Sequence, residues 1–585
     1  MTIEAYPNDA RTRPHTSVTV DSSALGATSS DTQKAVVVFG SAEGGVPGEL
    51  YRLTAFPQAR QAFKGGELLD WIETAWNPSD TEAGAGVIYA MRVDSAKPAS
   101  LTKGALEITS AQYGVNANQV SVKLEGGSIA NSFKFTAIDA NTGNQEKYDY
   151  LGPIFSLQYV GDGKEASAKI ENGKFVVTVD GSELVSFDTD NKLVNTADKL
   201  VDQLNLQAGL EAVLVPYGDK SIKTSLFDDV EFTDIKGNAV TFNSVIGDLM
   251  LQTEAGSNLV SVKKSVVEDT ELEVKVSADV LTLAPKEAPT EPVVVDPFPL
   301  TALSGGSNGT VPGSWRKFFD KFADDNAPDA YYVTAVSPSQ SIHGELNQFV
   351  NEMTASGYPL RGIVGGALNE SNQKLFTRRA ILNSARMALV GFSPKVAMAD
   401  GRTLTFPAYM ATAFVAGLAS GLDISEPVTY KHPRIAGLVR QLSSDVLDQM
   451  DANGIISVER VRNATGGAFR IVSDVTTKSS TNDPVLSSMS LGETTDFLAN
   501  GLRTFLDDRF IGTHTTSSTA VDIKTAVSLY LGTAQLNGTV VTYDPANIAV
   551  VVRGDRADIS FTATPSQGLR QIKVAIVYDN TAVEA

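Results

Sequence analysis

Two hydrophobic periods divide this chain, and one continuous sheet cannot satisfy both. Ala35-Val-Val-Val-Phe-Gly40 is an unbroken apolar run, and Gly86-Val-Ile-Tyr-Ala-Met-Arg-Val93 is a second strand of buried type. Between them Glu67-Leu-Leu-Asp-Trp-Ile-Glu-Thr-Ala-Trp76 puts Leu68, Trp71, Ile72 and Ala75 on one helical face. From about residue 97 the period becomes two. Val120-Ser-Val-Lys-Leu124, Phe133-Lys-Phe-Thr-Ala137, Phe175-Val-Val-Thr-Val179 and Leu272-Glu-Val-Lys-Val276 read as half-buried strands. Asn172-Gly173 and Asp180-Gly181 are hairpin turns, and Thr196 is placed to cap a helix running to about Leu204. A stiff proline-rich stretch follows, Ala284–Pro292 and Pro297-Phe-Pro299. Buried strands then return at Tyr331–Val336, Leu360–Val364 and Met387–Gly391, with helices at His343–Ala355, Gln373–Ser384 and Ala408–Ser420. That rhythm implies parallel strands with crossover helices. The alternating region is therefore an insertion within one α/β domain.

The last 110 or so residues read as an α+β domain. Helices are expected at Glu493–Phe510 and Val521–Gln535, and strands at Val540–Tyr543, Ile548–Val552 and Ile559–Ala563. The chain closes on Gln571–Asp579, where Ile572, Val574, Ile576 and Tyr578 alternate with polar residues. An unpaired edge of this kind invites another chain. Residues 1–33 are polar apart from the alternating run Ser17, Val18, Thr19, Val20. This segment is either disordered or a strand given to another sheet. Pairing of both ends with neighbouring subunits is β-augmentation; folding back onto their own subunit satisfies the same periodicity.

Length and charge narrow the function. A chain of 585 residues holds three to five domains. No window of about 18 apolar residues occurs, so no membrane span is expected. The start of the chain lacks the charged and apolar regions of a signal peptide, which points to assembly in a cytoplasm. With no cysteine, disulfides, thiolate nucleophiles and cysteine-held metals are excluded. The formal charge of −20 argues against nucleic acid as a direct partner, because phosphates require a basic face. The acid is concentrated. Residues 97–299 carry 17 Lys and 30 Asp plus Glu with no Arg, leaving 31 basic and 38 acidic residues elsewhere. Arginine suits buried and interfacial ion pairs, lysine a hydrated surface. The middle segment reads as a solvent-facing module.

A search for chemistry finds little. His15, His343, His432 and His514 share no metal-ligand spacing, and no cofactor motif occurs. Gly40-Ser-Ala-Glu-Gly-Gly45 follows a buried strand but lacks the dinucleotide spacing, and no phosphate-cradling loop is present. Ser341-Ile-His343-Gly344 resembles the His-Gly of subtilisin-like proteases, yet no Gly-x-Ser-x-Gly elbow or Gly-Thr-Ser segment supplies a nucleophile. Ser341 is better read as the cap of a helix opening at Ile342. The acidic pairs Asp228-Asp229, Asp324-Asp325 and Asp507-Asp508 are read as solvated charge. No catalytic, cofactor or metal residue is assigned; an α/β hydrolase with a β-rich binding module is the alternative of another class.

Several short stretches recur together. They are Val36–Gly48, Val87–Arg92, Leu303-Ser-Gly-Gly-Ser-Asn-Gly309, Pro407–Gly417, Gly454–Val461, Phe469–Thr477 and Leu502–Gly512. In that order they make the chain resemble contractile tail sheath proteins of bacteriophages, over residues 34–96 and about 300–585. The acidic insertion is most similar to sheaths of large myophages of Gram-positive bacteria. The resemblance implies a subtilisin-like α/β domain without protease activity, a C-terminal α+β domain against the tube, and outward inserted domains. The boundaries expected are an N-terminal arm over 1–33, the α/β domain over 34–96 and 300–475, and the insertion over 97–285. A linker over 286–299, the tube-proximal domain over 476–568 and a C-terminal arm over 569–585 complete them. It further implies hexameric rings around a tail tube protein, linked through both arms, with baseplate and tail terminator proteins at the ends. The location implied is the virion tail, after assembly in the host cytoplasm. Arg503 and Arg509, on the helix Glu493–Phe510, are the candidates for tube contact. A sheath of a related injection machine, a bacteriocin or secretion system, is the nearer alternative.

Overall fold

The computed structural model describes residues 34–265, 295–325, 329–461, 468–478, 483–516, 518–566 and 568, together with the backbone of strands at 2–4, 19–21, 272–277 and 280–285. Its contacts separate two compact units. One comprises 1–42, 47–94 and 311–585; the other comprises 43–46 and 95–310.

The first unit is built on a seven-stranded sheet. Its strands are β1 (Ala35–Gly40), β2 (Leu50–Leu53), β3 (Ile88–Arg92), β4 (Ala330–Ala335), β5 (Arg361–Gly365), β6 (Met387–Val390) and β7 (Ile455–Ile456). Their order is β7-β6-β5-β4-β1-β3-β2, parallel except for the edge strand β2. Parallel strands need helical crossovers, which cover both faces. That is why β1 is buried at every position. Val36 and Val38 point to one core, which holds α1 (Phe56–Phe63) and α2 (Glu67–Trp76). Ala35, Val37 and Phe39 point to the other, formed with α3 (Arg316–Asp325), α4 (Gln340–Ala355) and α5 (Asn372–Leu382). Helix α6 (Ala408–Gly421) joins the first core and α7 (Ser444–Ala452) the second. α6 is apolar around most of its surface, as a helix enclosed by its neighbours must be. Its Gly417 allows close approach, since a Cβ there would stand 2.3 Å from the Ala75 carbonyl oxygen.

Helices α8 (Met489–Phe510) and α9 (Thr519–Leu536) follow, then strands at Val540–Tyr543, Ala549–Arg553, Arg556–Ser560 and Ala563–Pro565. Helix α8 begins four residues before the expected Glu493, because the Ser488 side chain accepts from the Leu491 amide and caps it there. The strand expected at Ile559–Ala563 starts instead at Arg556. Gly554, at φ 64°, closes a tight hairpin in which Arg553 faces Arg556.

Among the described residues the second unit is antiparallel throughout and has two apolar cores. One gathers Leu106, Ile108, Val120, Val122, Phe135 and Phe298. The other is rich in aromatic residues, with Phe155 and Phe242 stacked at 5.1 Å and Phe175 and Phe227 beside them. Asn172-Gly173 and Asp180-Gly181 all have positive φ, the requirement of the type I′ hairpin. Two expectations fail here. Phe298 and Pro299, the last two residues of the expected linker, open a strand, Phe298–Ala302, paired with Val120–Gly126. Thr196 does precede its helix, but its hydroxyl donates to Asp198 rather than capping a backbone amide.

Candidate functional site

The described backbone begins its continuous course at Lys34, and this root is chemically unusual. Lys34 Nζ, almost fully buried, lies 2.6 Å from Glu493 Oε1 on α8 and 3.4 Å from the Asp423 carbonyl oxygen. The Ser420 hydroxyl donates to the Lys34 carbonyl. The other oxygen of Glu493 accepts from Tyr332 at 2.6 Å. At the far end, Gly568 lies against Pro427, where a Cβ would meet the ring at 2.5 Å. Lys34 and Gly568 therefore both lie beside the end of α6 and the loop that follows it.

One turn further along α8, Asp496 completes the joint. It accepts from Arg361 Nε at 2.8 Å, Tyr331 Oη at 2.8 Å, and Arg386 Nη2 and Nη1 at 2.8 and 3.1 Å. Gly492 makes room, since a Cβ would stand 2.2 Å from the Arg361 guanidinium. Burial would raise the Asp496 carboxyl, but Arg361 and Arg386 outweigh it and hold the group below its usual value. Burial also pushes Glu493 upward, against the pull of Lys34. Two carboxylates three residues apart on one helix thus fasten α8 to β4, β5 and the root of the N-terminal segment. Breaking such a buried pair on one side costs about 3–5 kcal/mol.

This arrangement redefines the helix proposed for tube contact. Every residue from Met489 to Asp496 is buried, so only the second half of α8 can present a surface. Arg503 and Arg509, six residues apart, stand about 120° from one another around the helix axis. Arg503 is half-buried and donates to Asn500 at 2.8 Å. Arg509 is exposed, with its guanidinium 3.7 Å from the Phe505 ring centre. They form no common face.

Of the arm residues, Thr19 and Val20 pair antiparallel with Glu4 and Ile3. Ser17, Val18, Ile572, Val574, Ile576 and Tyr578 lie outside the described residues.

The catalytic alternative finds no geometry. Ser341 does not cap α4; Ser339 precedes the helix, and the two serine hydroxyls bond to each other at 2.8 Å. His343 is fully buried, with Nε2 2.7 Å from the Ser337 carbonyl oxygen. A carbonyl can only accept, so Nε2 carries the proton and Nδ1 accepts from Arg378 at 3.4 Å. Desolvation, then the Arg378 charge, pushes its pKa down to about 3, too low for a base at neutral pH. A cleft of about 690 Å³ is lined by Phe322, Tyr331, Tyr358, Phe497, Arg503 and Tyr530. It sits at the entry of β4 and β5, the opposite end from where open α/β sheets bind ligands. Among the described residues no group of three or more His, Asp or Glu is placed to hold a metal, and no helix is long and apolar enough to cross a membrane.

Comparison with known proteins gives the site its setting. No family model matches the chain. The tail sheath protein of Staphylococcus phage Twort is 38% identical over the whole of both chains. The putative tail sheath protein of Enterococcus phage phiEF24C is 36% identical, also over both full lengths. The tail sheath protein of Bacillus phage SP01 is 28% identical over 87% of this chain and 86% of its own. Among solved structures, the sheath tail protein of Desulfitobacterium hafniense shares the fold with a TM-score of 0.53 at 14% identity, covering 92% of this chain and 94% of its own.

Proposed function

The chain belongs to the tail sheath proteins of bacteriophages, and from that membership we propose that it is the subunit of a contractile sheath that drives a tail tube through the host cell envelope. The full-length likeness to the Twort protein carries this reading. Subunits form stacked hexameric rings around the tube, with baseplate and terminator proteins at the two ends. Assembly takes place in the host cytoplasm, and the Arg-free insertion faces away from the tube.

Neighbours are held by β-augmentation between the arm strands Ser17–Val20 and Ile572–Tyr578. The buried joint at Lys34, Glu493 and Asp496 supports this, because a pulled arm needs a rigid root. Contraction then repositions whole subunits while the arms preserve connectivity. The exposed end of α8 near Arg509 is the tube-facing candidate; Arg503 supports it from within.

Deleting Leu569–Ala585 tests the arm. The truncated chain is expected to sediment as a monomer at concentrations where the full chain polymerises. Polymer from the truncated chain would refute arm-linked assembly.

A further inference from the structure

Among the described residues nothing fills the cleft of about 690 Å³ at the entry of β4 and β5. Phe322 of α3, Met353 of α4, Phe497 of α8 and Tyr530 of α9 line it, and Tyr358 there is exposed. An aromatic surface of this kind left to water marks a docking site. The backbone runs to the cleft from its last described strand. Ala563–Pro565 pairs with Val540–Tyr543, and Pro565 stands opposite Val540, whose neighbour Thr539 lines the cleft. Ser566 is buried, and Gly568 lies against Pro427, three residues beyond Ile424, which also lines it. The chain thus arrives at the cleft with Leu569–Ala585 still to come, outside the described residues.

Three segments outside the described residues border the cleft, and their compositions differ. Residues 326–328, next to Asp329 of the lining, are Asn-Ala-Pro, with no large apolar side chain. Residues 22–33, which lead to the root at Lys34, hold one, Leu25. The third offers Leu569, Ile572, Val574, Ile576, Val577 and Tyr578 in close succession. Extended backbone advances about 3.3 Å per residue, so Ile572 can sit up to about 13 Å from Gly568 and Tyr578 up to about 33 Å. The tether also gives this segment an effective concentration that a free partner lacks. We propose that in the unassembled subunit the cleft is filled by the chain's own segment Leu569–Tyr578. Docked there, the apolar strand is withheld from other chains, which an open edge would recruit without order. Assembly draws on the undocked fraction, so the dock raises the concentration at which subunits join; this consequence rests on the polymerising role above.

The chain has no cysteine, so the full-length protein carrying Tyr358→Cys and Ile576→Cys presents two thiols and no others. A short cleavable bismaleimide is applied to the dilute monomer, and the links are read by peptide mass spectrometry. A link within one chain is expected, and linked chains are expected not to polymerise until the linker is cut. No link in the monomer overturns the proposal. So does a link found only between chains in the polymer, which would make a second copy the occupant. Tyr358→Glu, which puts a charge into the cleft, is the companion variant. Its threshold concentration for polymerisation is expected to fall severalfold; an unchanged or raised threshold overturns the proposal. Should the wild type form no polymer, the sheath reading fails, while the link within the chain still decides the docking.

Discussion

The two units of this protein handle charge in opposite ways. In the α/β unit, buried ion pairs recur: Lys34 with Glu493, Arg92 with Asp94, Arg378 with Glu370, and Asp496 with Arg361 and Arg386. In the inserted unit, the ion pairs among the described residues are Lys123 with Glu125 and Lys169 with Glu171, both on the surface. Its buried Asp139 is met by side-chain and backbone donors of Gln112, Asn141 and Thr142. Arginine accounts for much of the contrast, since 97–299 has none. Buried charges demand one geometry, whereas apolar cores tolerate many. The unit with the arms and the helix α8 is thus pinned by oriented charge, and the insertion is held by packing and turns.

Four substitutions sharpen or break this contrast. The largest effect is expected from Asp496→Ala, which leaves Arg361 and Arg386 buried beside an empty position. A loss of about 3–5 kcal/mol is expected from denaturant unfolding followed in the α/β unit. A loss below about 1 kcal/mol would remove the distinction between the units. Phe242→Ala, in the aromatic core of the insertion, should cost about 3–4 kcal/mol there. Hydrogen exchange should report that loss in 153–243 and leave β4 and α8 protected.

His343 gives a smaller, pH-dependent effect. Its folded pKa lies below the unfolded value near 6.5, so its contribution is complete above that value and is lost as pH falls toward about 3. Between pH 6 and 4 the wild type should lose about 1.4 kcal/mol per pH unit relative to His343→Asn. Parallel pH profiles would show that His343 is not held neutral. The smallest change is Lys169→Ala, which removes an exposed pair and should shift stability by less than about 1 kcal/mol in a thermal melt. A larger shift would mean that surface charge stabilises the insertion after all.

What could be read from the sequence was local. The apolar run Ala35–Gly40 and the helix Glu67–Trp76 appear where their periods place them. The Asn-Gly and Asp-Gly turns carry their own backbone chemistry. The joint at α8 escaped because it is assembled from residues up to 459 positions apart. Glu493 and Asp496 sit in the polar run Gly492-Glu-Thr-Thr-Asp496, which by composition reads as a solvated surface. The one local sign was two carboxylates at helical spacing beside Gly492, and only the fold reveals that Arg361 requires that glycine. The tube-contact candidates Arg503 and Arg509 were legible only as far as the helix that carries them. Periodicity placed Arg503 and Arg509 on one helix, but not on which side the sheet would bury it.

The central claim is that this chain polymerises into a sheath. Negative-stain electron microscopy of the purified full-length protein, across a concentration series, tests it most directly. Striated hollow tubes or stacked six-fold rings above a threshold concentration are predicted. Uniform monomers at every concentration would contradict it.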